Sequence, residues 1–257
     1  MNDLYLIEIY LNAPDLVRLG NKNRFPRTST TQNYLVHCAL GELFQNKAPK
    51  PFWIDPESNE DRYVRVLGYT AHDADELQAA SALFSSPSIA ALCDESRLYA
   101  KKMPAIPQGT TVGFDVWAVP TIRKGSAGSV TSPSGEEYTW VEGQELDYFL
   151  DRTWHEGEEV TRQQAYDRWI RHQFDVRDLG SELRGTVSMS AFTHTEMSRR
   201  TPPKDGQRTM KRLAMRPVAA LHGKVLIKDP YAFRAALASG IGPHKSFGYG
   251  MLKLRPA

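Results

Sequence analysis

The chain has 257 residues, of which 41% are hydrophobic and 24% charged, with a formal net charge of +2. That composition supports a packed core and argues against wholesale disorder, and the length suits one large domain or two small ones. The only cysteines, Cys38 and Cys93, form no CxxC pair and no Cys/His cluster, so a disulfide framework and a zinc module are both disfavoured.

The first strand-like run, residues 4–11, carries Glu8 and is too short for a membrane span or a signal segment, so a soluble, cytoplasmic protein is expected. A basic loop is expected next, with Pro14, Gly20 and Pro26 as breakers. It leads into a helix over residues 30–44, where Val36, Leu40, Leu43 and Phe44 fall at helical spacing and Thr30 or Thr31 serves as N-cap. A strand at 63–69, a helix from Asp73 to Phe84 capped by Asp73, and a strand near 97–101 complete a β-α-β-(β)-α-β order.

Residues 104–107 hold two prolines and read as a boundary. The pattern then restarts. A strand spans 112–122, a Gly/Ser-rich turn covers 125–135, and an acidic stretch follows. A helix spans 161–174. A long hairpin has arms near 184–192 and 209–227 with a basic tip between them. Asp229-Pro230 opens another helix, Asp as N-cap and Pro in its first turn, which stops at Gly240. A glycine-rich loop and a strand at 251–254 end the chain. The expected fold is α+β: two tandem ferredoxin-like (RRM-like) β-α-β-β-α-β domains, 1–106 and 107–257, the second carrying an acidic, helical insertion at about 126–160.

Charge is unevenly spread. Residues 136–159 hold nine acids against Arg152 alone, which leaves the remainder of the chain at about +10. Residues 196–216 hold seven Lys or Arg against two acids, and residues 16–37 hold Arg18, Lys22, Arg24 and Arg27 with no acid. Two concentrated basic segments fit a nucleic-acid footprint, and they equally fit solvated loops.

Three stretches could carry chemistry. In Gly240-Ile241-Gly242-Pro243-His244-Lys245-Ser246-Phe247-Gly248-Tyr249-Gly250, the glycines permit positive φ, and backbone N–H groups with Lys245 could cradle a phosphate. The loop is neither a Walker A loop nor GxGxxG, which argues against a nucleotide cofactor; a tight helix-to-strand connection is the plainer alternative. On the first helix Tyr34 and His37 stand at i and i+3, on one side, with His37 at the margin of the apolar stripe, where either a catalytic or a structural imidazole could sit. The hairpin tip presents Arg199, Arg200, Lys204, Arg208, Lys211 and Arg212 around Pro and Gly turn signals, as a basic ribbon for RNA phosphates or as a mobile solvated loop.

Together these stretches resemble the CRISPR-associated repeat endoribonucleases of the RAMP superfamily, most closely the CasE (Cse-type) branch. That family carries Tyr-x-x-His on its first helix, here Tyr34-Leu35-Val36-His37. It closes with a Gly-x-Leu-x-Val-x-Asp step and a Gly-Ile-Gly-Pro-x-Lys loop, here Gly223 to Asp229 and Gly240 to Leu252. Ala118-Val119-Pro120-Thr121-Ile122-Arg123-Lys124 is similar to the turn that opens the family's second domain, with Val119 where Asn is usual. The resemblance is dense over the last 40 or so residues, good at 34–44 and diffuse elsewhere. The longer basic loop and the acidic insertion suggest a divergent branch, such as the Csf-type processing enzyme of type IV systems.

The resemblance implies a metal-independent, cofactor-free cut of pre-crRNA beside a repeat hairpin by the substrate's own 2′-hydroxyl, leaving a 2′,3′-cyclic phosphate. His37 would move the proton, Tyr34 would hold the phosphate or nucleophile, and Lys245 would face the developing charge, with Arg24 and Arg27 reaching the same phosphate. The hairpin cations, Arg123, Lys124, Gly240, Gly242, His244, Ser246 and Gly248 would hold RNA. The implied partners are the repeat hairpin, its crRNA product and other subunits of a CRISPR effector complex. The alternative is a non-catalytic subunit that only caps the repeat RNA.

Overall fold

The computed structural model describes residues 3–23, 25, 30–55, 62–200, 210–212 and 215–257, with 198–200 and 210–212 described in backbone alone. The first half runs β1 (Tyr5–Asn12), α1 (Ala13–Lys22), α2 (Gln32–Phe44), β2 (Phe52–Ile54), β3 (Tyr63–Thr70), α3 (Ala74–Phe84), α4 (Pro87–Ala90) and β4 (Tyr99–Lys102). The second runs β5 (Thr111–Ala118), β6 (Thr121–Arg123), β7 (Gly128–Thr131), β8 (Glu137–Trp140), β9 (Glu145–Asp147), α5 (Tyr148–Glu156), α6 (Arg162–Arg177), β10 (Ser181–Thr195), β11 (Ser198–Arg200), β12 (Met210–Arg212), β13 (Arg216–Ile227), α7 (Pro230–Ser239) and β14 (Lys253–Arg255).

Each half builds one four-stranded antiparallel sheet, ordered β2-β3-β1-β4 and β10-β13-β5-β14. Without the insertion, the second half reads β5-α6-β10-β13-α7-β14. Both sheets therefore have the same strand order, the ferredoxin-like arrangement expected from the sequence. The helices cover one face of each sheet. Ile7, Ile9 and Leu11 of β1 pack against Val36, Leu40 and Leu43 of α2. Phe114 and Val116 of β5 pack against Trp169 and Phe174 of α6. From the opposite face of the first sheet, Trp53, Leu67 and Tyr69 enter the core cluster of the second half.

The capped helices stand where the sequence puts them. Thr31, Asp73, Thr161 and Asp229 each accept backbone N–H bonds at an N-terminus, and Asp73/Glu76 and Thr161/Gln164 form full capping boxes.

Several expectations need correcting. The stretch after β1 is a helix, not a loop. Asn12 caps it through Asp15 N, Pro14 sits in its first turn where no N–H is needed, and Leu16 and Leu19 are buried. The strand expected over 112–122 breaks after Ala118: β5 stays in its sheet, while β6 turns away to pair with β9. The insertion is not mainly helical. It consists of two short ribbons, β6/β9 and β7/β8, plus the nine-residue α5. Neither Cys38 nor Cys93 is in a disulfide, and burial, seconded by Glu95 and Asp94, pushes the Cys93 thiol up to about 12.

Candidate active site

The site forms where α2 meets the glycine loop that follows α7. Gly240, Gly242, Gly248 and Gly250 all have positive φ, between +65° and +81°. At Gly250 the requirement is absolute, because a Cβ there would stand 2.0 Å from the Ile241 carbonyl oxygen. The loop is pinned at its base: Ile241 N donates to Gly250 O at 2.9 Å, and Gly250 N donates to Trp117 O on β5 at 2.7 Å. Its crown is a single 3-10 turn, Lys245–Phe247, flanked by His244 and Gly248, both left-handed.

Helix α2 lies against that turn. Asn33 and His37, one helical turn apart, both touch it. Asn33 Nδ2 donates to Phe247 O at 2.8 Å. The His37 ring stands edge-on to the Phe247 ring, centroids 5.1 Å apart. Tyr34 is 4% exposed. Its ring lies 6.0 Å from His37, 6.0 Å from Phe247 and 5.3 Å from Phe25. The Tyr34 ring is thus part of the wall that sets the rotamer of His37.

Electrostatically the site is cationic. Burial and then the Lys50 charge hold the His37 imidazole below the ordinary histidine value, against the opposing pull of the Ser246 backbone. Burial, then the charges of Arg177 and Lys50, lower the pKa of Lys245. Lys50, from the segment before β2, thus acts on both groups, and Arg177, at the end of α6, acts on one. Sequence reasoning missed Lys50 and Arg177. Neither belongs to a motif, and each comes from a segment remote from both α2 and the loop.

The other expected residues fall in different places. His244 turns inward, its Nε2 3.4 Å from Glu145 Oε2 on β9, and Glu145 also takes Arg216 Nη2 at 2.9 Å. That contact ties the glycine loop to the insertion and to the tip end of the long hairpin's arms. The Lys124 ammonium is 2.5 Å from the fully buried Asp151 and sits over the Trp140 ring, so it is occupied inside the insertion and does not belong to the cationic cluster around His37. Arg123 is exposed at the end of β6, opposite Glu145 in register. Arg24, Arg27, Lys204 and Arg208 lie outside the described residues, and Arg199, Arg200, Lys211 and Arg212 are placed by backbone alone, on the β11/β12 ribbon. Among the described residues no group of three His, Cys, Asp or Glu side chains could hold a metal ion, and no helix is long and apolar enough to cross a membrane.

The fold has known relatives. The model of a family described as CRISPR associated protein matches residues 4–256, and the chain belongs to that family. Among solved structures, the chain is similar to the CRISPR endoribonuclease Cse3 bound to a 19-nucleotide RNA, with a TM-score of 0.58 and 16% identity over 99% of this chain and 100% of that one. It is similar to Thermus thermophilus Cse3 bound to an RNA representing a pre-cleavage complex, with a TM-score of 0.52 and 16% identity over 99% and 100% of the two chains. A chain of a CRISPR RNA-guided surveillance complex in a pre-nicking state gives a TM-score of 0.54 at 19% identity, over 98% of this chain and 100% of that one. At these identities the likeness is one of fold. Comparison with curated protein sequences gives no match.

Proposed function

We propose that the protein is a metal-independent endoribonuclease that binds a CRISPR repeat hairpin and cuts the pre-crRNA beside it. The observation that carries this reading is a half-buried imidazole set edge-on against Phe247 of a glycine-flanked turn that begins with Lys245, with the Lys50 charge acting on both groups. Phosphodiester cleavage by an adjacent 2′-hydroxyl needs a proton acceptor, positive charge on the non-bridging oxygens, and in-line geometry. In this reading the neutral His37 takes the 2′-OH proton. The oxygen attacks the adjacent phosphorus, the P–O5′ bond breaks, and the products are a 2′,3′-cyclic phosphate and a 5′-hydroxyl that regains a proton. Lys245 and Lys50 stabilise the charge that develops on the phosphorane.

Tyr34 packs the histidine in place, and the basic ribbon and Arg123 engage phosphates of the hairpin, whose deep groove resists base reading. Retention of the cut RNA would make the protein a subunit of an effector complex, as the chain of the surveillance complex is in its own assembly. The residue blocks 1–106 and 107–257 are the two units we assign to this architecture.

The test is single-turnover cleavage of a labelled repeat hairpin in EDTA. His37→Ala is expected to slow it by about 10²–10⁴-fold, the range a positioned acid–base group contributes, with RNA affinity retained. A 2′-deoxy nucleotide at the cut site is expected to abolish cleavage. Persistent cutting of the deoxy substrate would exclude attack by the internal hydroxyl. Tight binding without any cleavage would favour a capping subunit.

A further inference from the structure

The cationic turn has a neutral neighbour. Between the open faces of the two sheets lies a cleft of about 440 Å³ lined by Gln32, Asn33, Tyr63, Trp117, Thr193 and Tyr249, among others, and by Gly248 of the glycine loop. A cleft of this size is within the range of small-ligand sites. Its lining contains no Lys or Arg among the described residues, and its acid, Asp55, is already paired with Arg65 Nη1 at 2.7 Å. Among the described residues the lining therefore offers a phosphate no cation. It offers aromatic rings from β3, β5 and the loop, with two amide side chains from the first turn of α2 and a hydroxyl from β10.

The cleft and the cationic turn share their walls. Asn33 lines the cleft and donates Nδ2 to Phe247 O, while His37, one helical turn further along the same face, packs its ring edge-on against the ring of the same Phe247. Gly248 lines the cleft too. A Cβ on it would meet Phe52 at 2.7 Å and Asn33 Nδ2 at 2.9 Å. Tyr249 is buried, and Trp117 O anchors Gly250. The spacing of i and i+4 side chains on a helix is about 5–6 Å. The mouth of the cleft is therefore roughly one nucleotide from the imidazole.

We propose that this aromatic and amide-lined cleft receives a single unpaired nucleobase next to the scissile linkage, stacked by Trp117 or Tyr63 and read along its edge by Gln32 and the Asn33 side-chain oxygen. Single-stranded RNA is recognised by this combination of ring stacking and edge hydrogen bonding. The division of labour is physical: the phosphate is drawn to the cationic turn, and the base beside it leaves water for a neutral slot. Capture of the base also turns the ribose–phosphate junction, so the site supplies part of the in-line geometry. The inference rests on the RNA-cutting reading above.

The experiment places an abasic nucleotide at each of the two positions on either side of the cut and measures affinity and single-turnover rate with the full-length protein. One position is expected to lose about tenfold or more in affinity or rate, and 2-aminopurine at that position should be quenched on binding. In Trp117→Leu the abasic penalty should fall below about threefold. Thr193→Phe, which fills the cleft from an exposed strand position, should give the same result if Trp117→Leu does not fold. If RNA is neither bound nor cut, the cleavage reading falls and the pocket with it. If RNA is bound and cut but no abasic position costs more than twofold, the pocket assignment alone is wrong.

Discussion

An imidazole kept from its charged form is a proton acceptor at neutral pH. Burial and Lys50 both push His37 that way, so if it takes the 2′-OH proton, the single-turnover rate should be level through pH 7. It should fall about tenfold per pH unit only below a limb lying under the ordinary histidine value of about 6.5. Lys50→Met removes one of the two forces that lower the pKa, and the acid limb should then move to higher pH. Lys245→Met should lower the plateau, because it removes a cation that faces the developing charge. Paired pH–rate profiles measure both; a limb unmoved in Lys50→Met would detach that lysine from the histidine. Tyr34, His37 and Lys245 were legible in the sequence because local motifs hold them. Lys50 and Arg177 were not, since a cation outside a motif acquires its meaning from the fold. Lys124 shows the converse. Its charge was visible, but Asp151, which neutralises it, stands 27 residues away.

At the scale of elements, legibility followed capping chemistry. Helices α2, α3, α6 and α7 carry Thr or Asp caps whose side chains bond the first turn, and that pattern is written locally. Helix α1 escaped because Pro14 reads as a breaker when its neighbour Asn12 is not recognised as a cap. The three-residue strands β2, β6 and β9 are too short to show a period of two, so the sequence of the insertion carries no strand signal to set against a helical reading. Glycines divide along the same line. Gly41 sits inside α2 with nothing within 4 Å of a would-be Cβ. Gly41→Ala should therefore stabilise the protein by about 0.5–1 kcal/mol through lost unfolded-state freedom. Gly250→Ala should cost at least about 1–2 kcal/mol from its left-handed backbone alone, with a further loss from the clash at Ile241 O. Chemical denaturation of the two variants measures both signs, and Gly250→Ala should in addition slow cleavage by displacing Lys245.

For the whole molecule, two like-ordered sheets could be two domains on a tether or one body. The packing favours one body. Trp53, Leu67 and Tyr69 leave the first sheet to join the cluster around Phe114, Trp169 and Met251, and Tyr69 OH donates to Leu252 O at 3.0 Å from a buried position. Burial drives the Tyr69 phenol well above its usual range, which keeps it a neutral donor at neutral pH. Tyr69→Phe keeps the ring but strips the partner from a buried carbonyl, a loss of about 1–3 kcal/mol. In a chain of this size that lowers Tm by roughly 2–4 °C per kcal/mol. Because the bond joins the halves, the entire calorimetric transition should shift as one peak. A split endotherm in which only one component moves would mean that the halves fold independently. The juxtaposition of His37, from the first half, with Lys245, from the second, would then depend on docking and not on a common core.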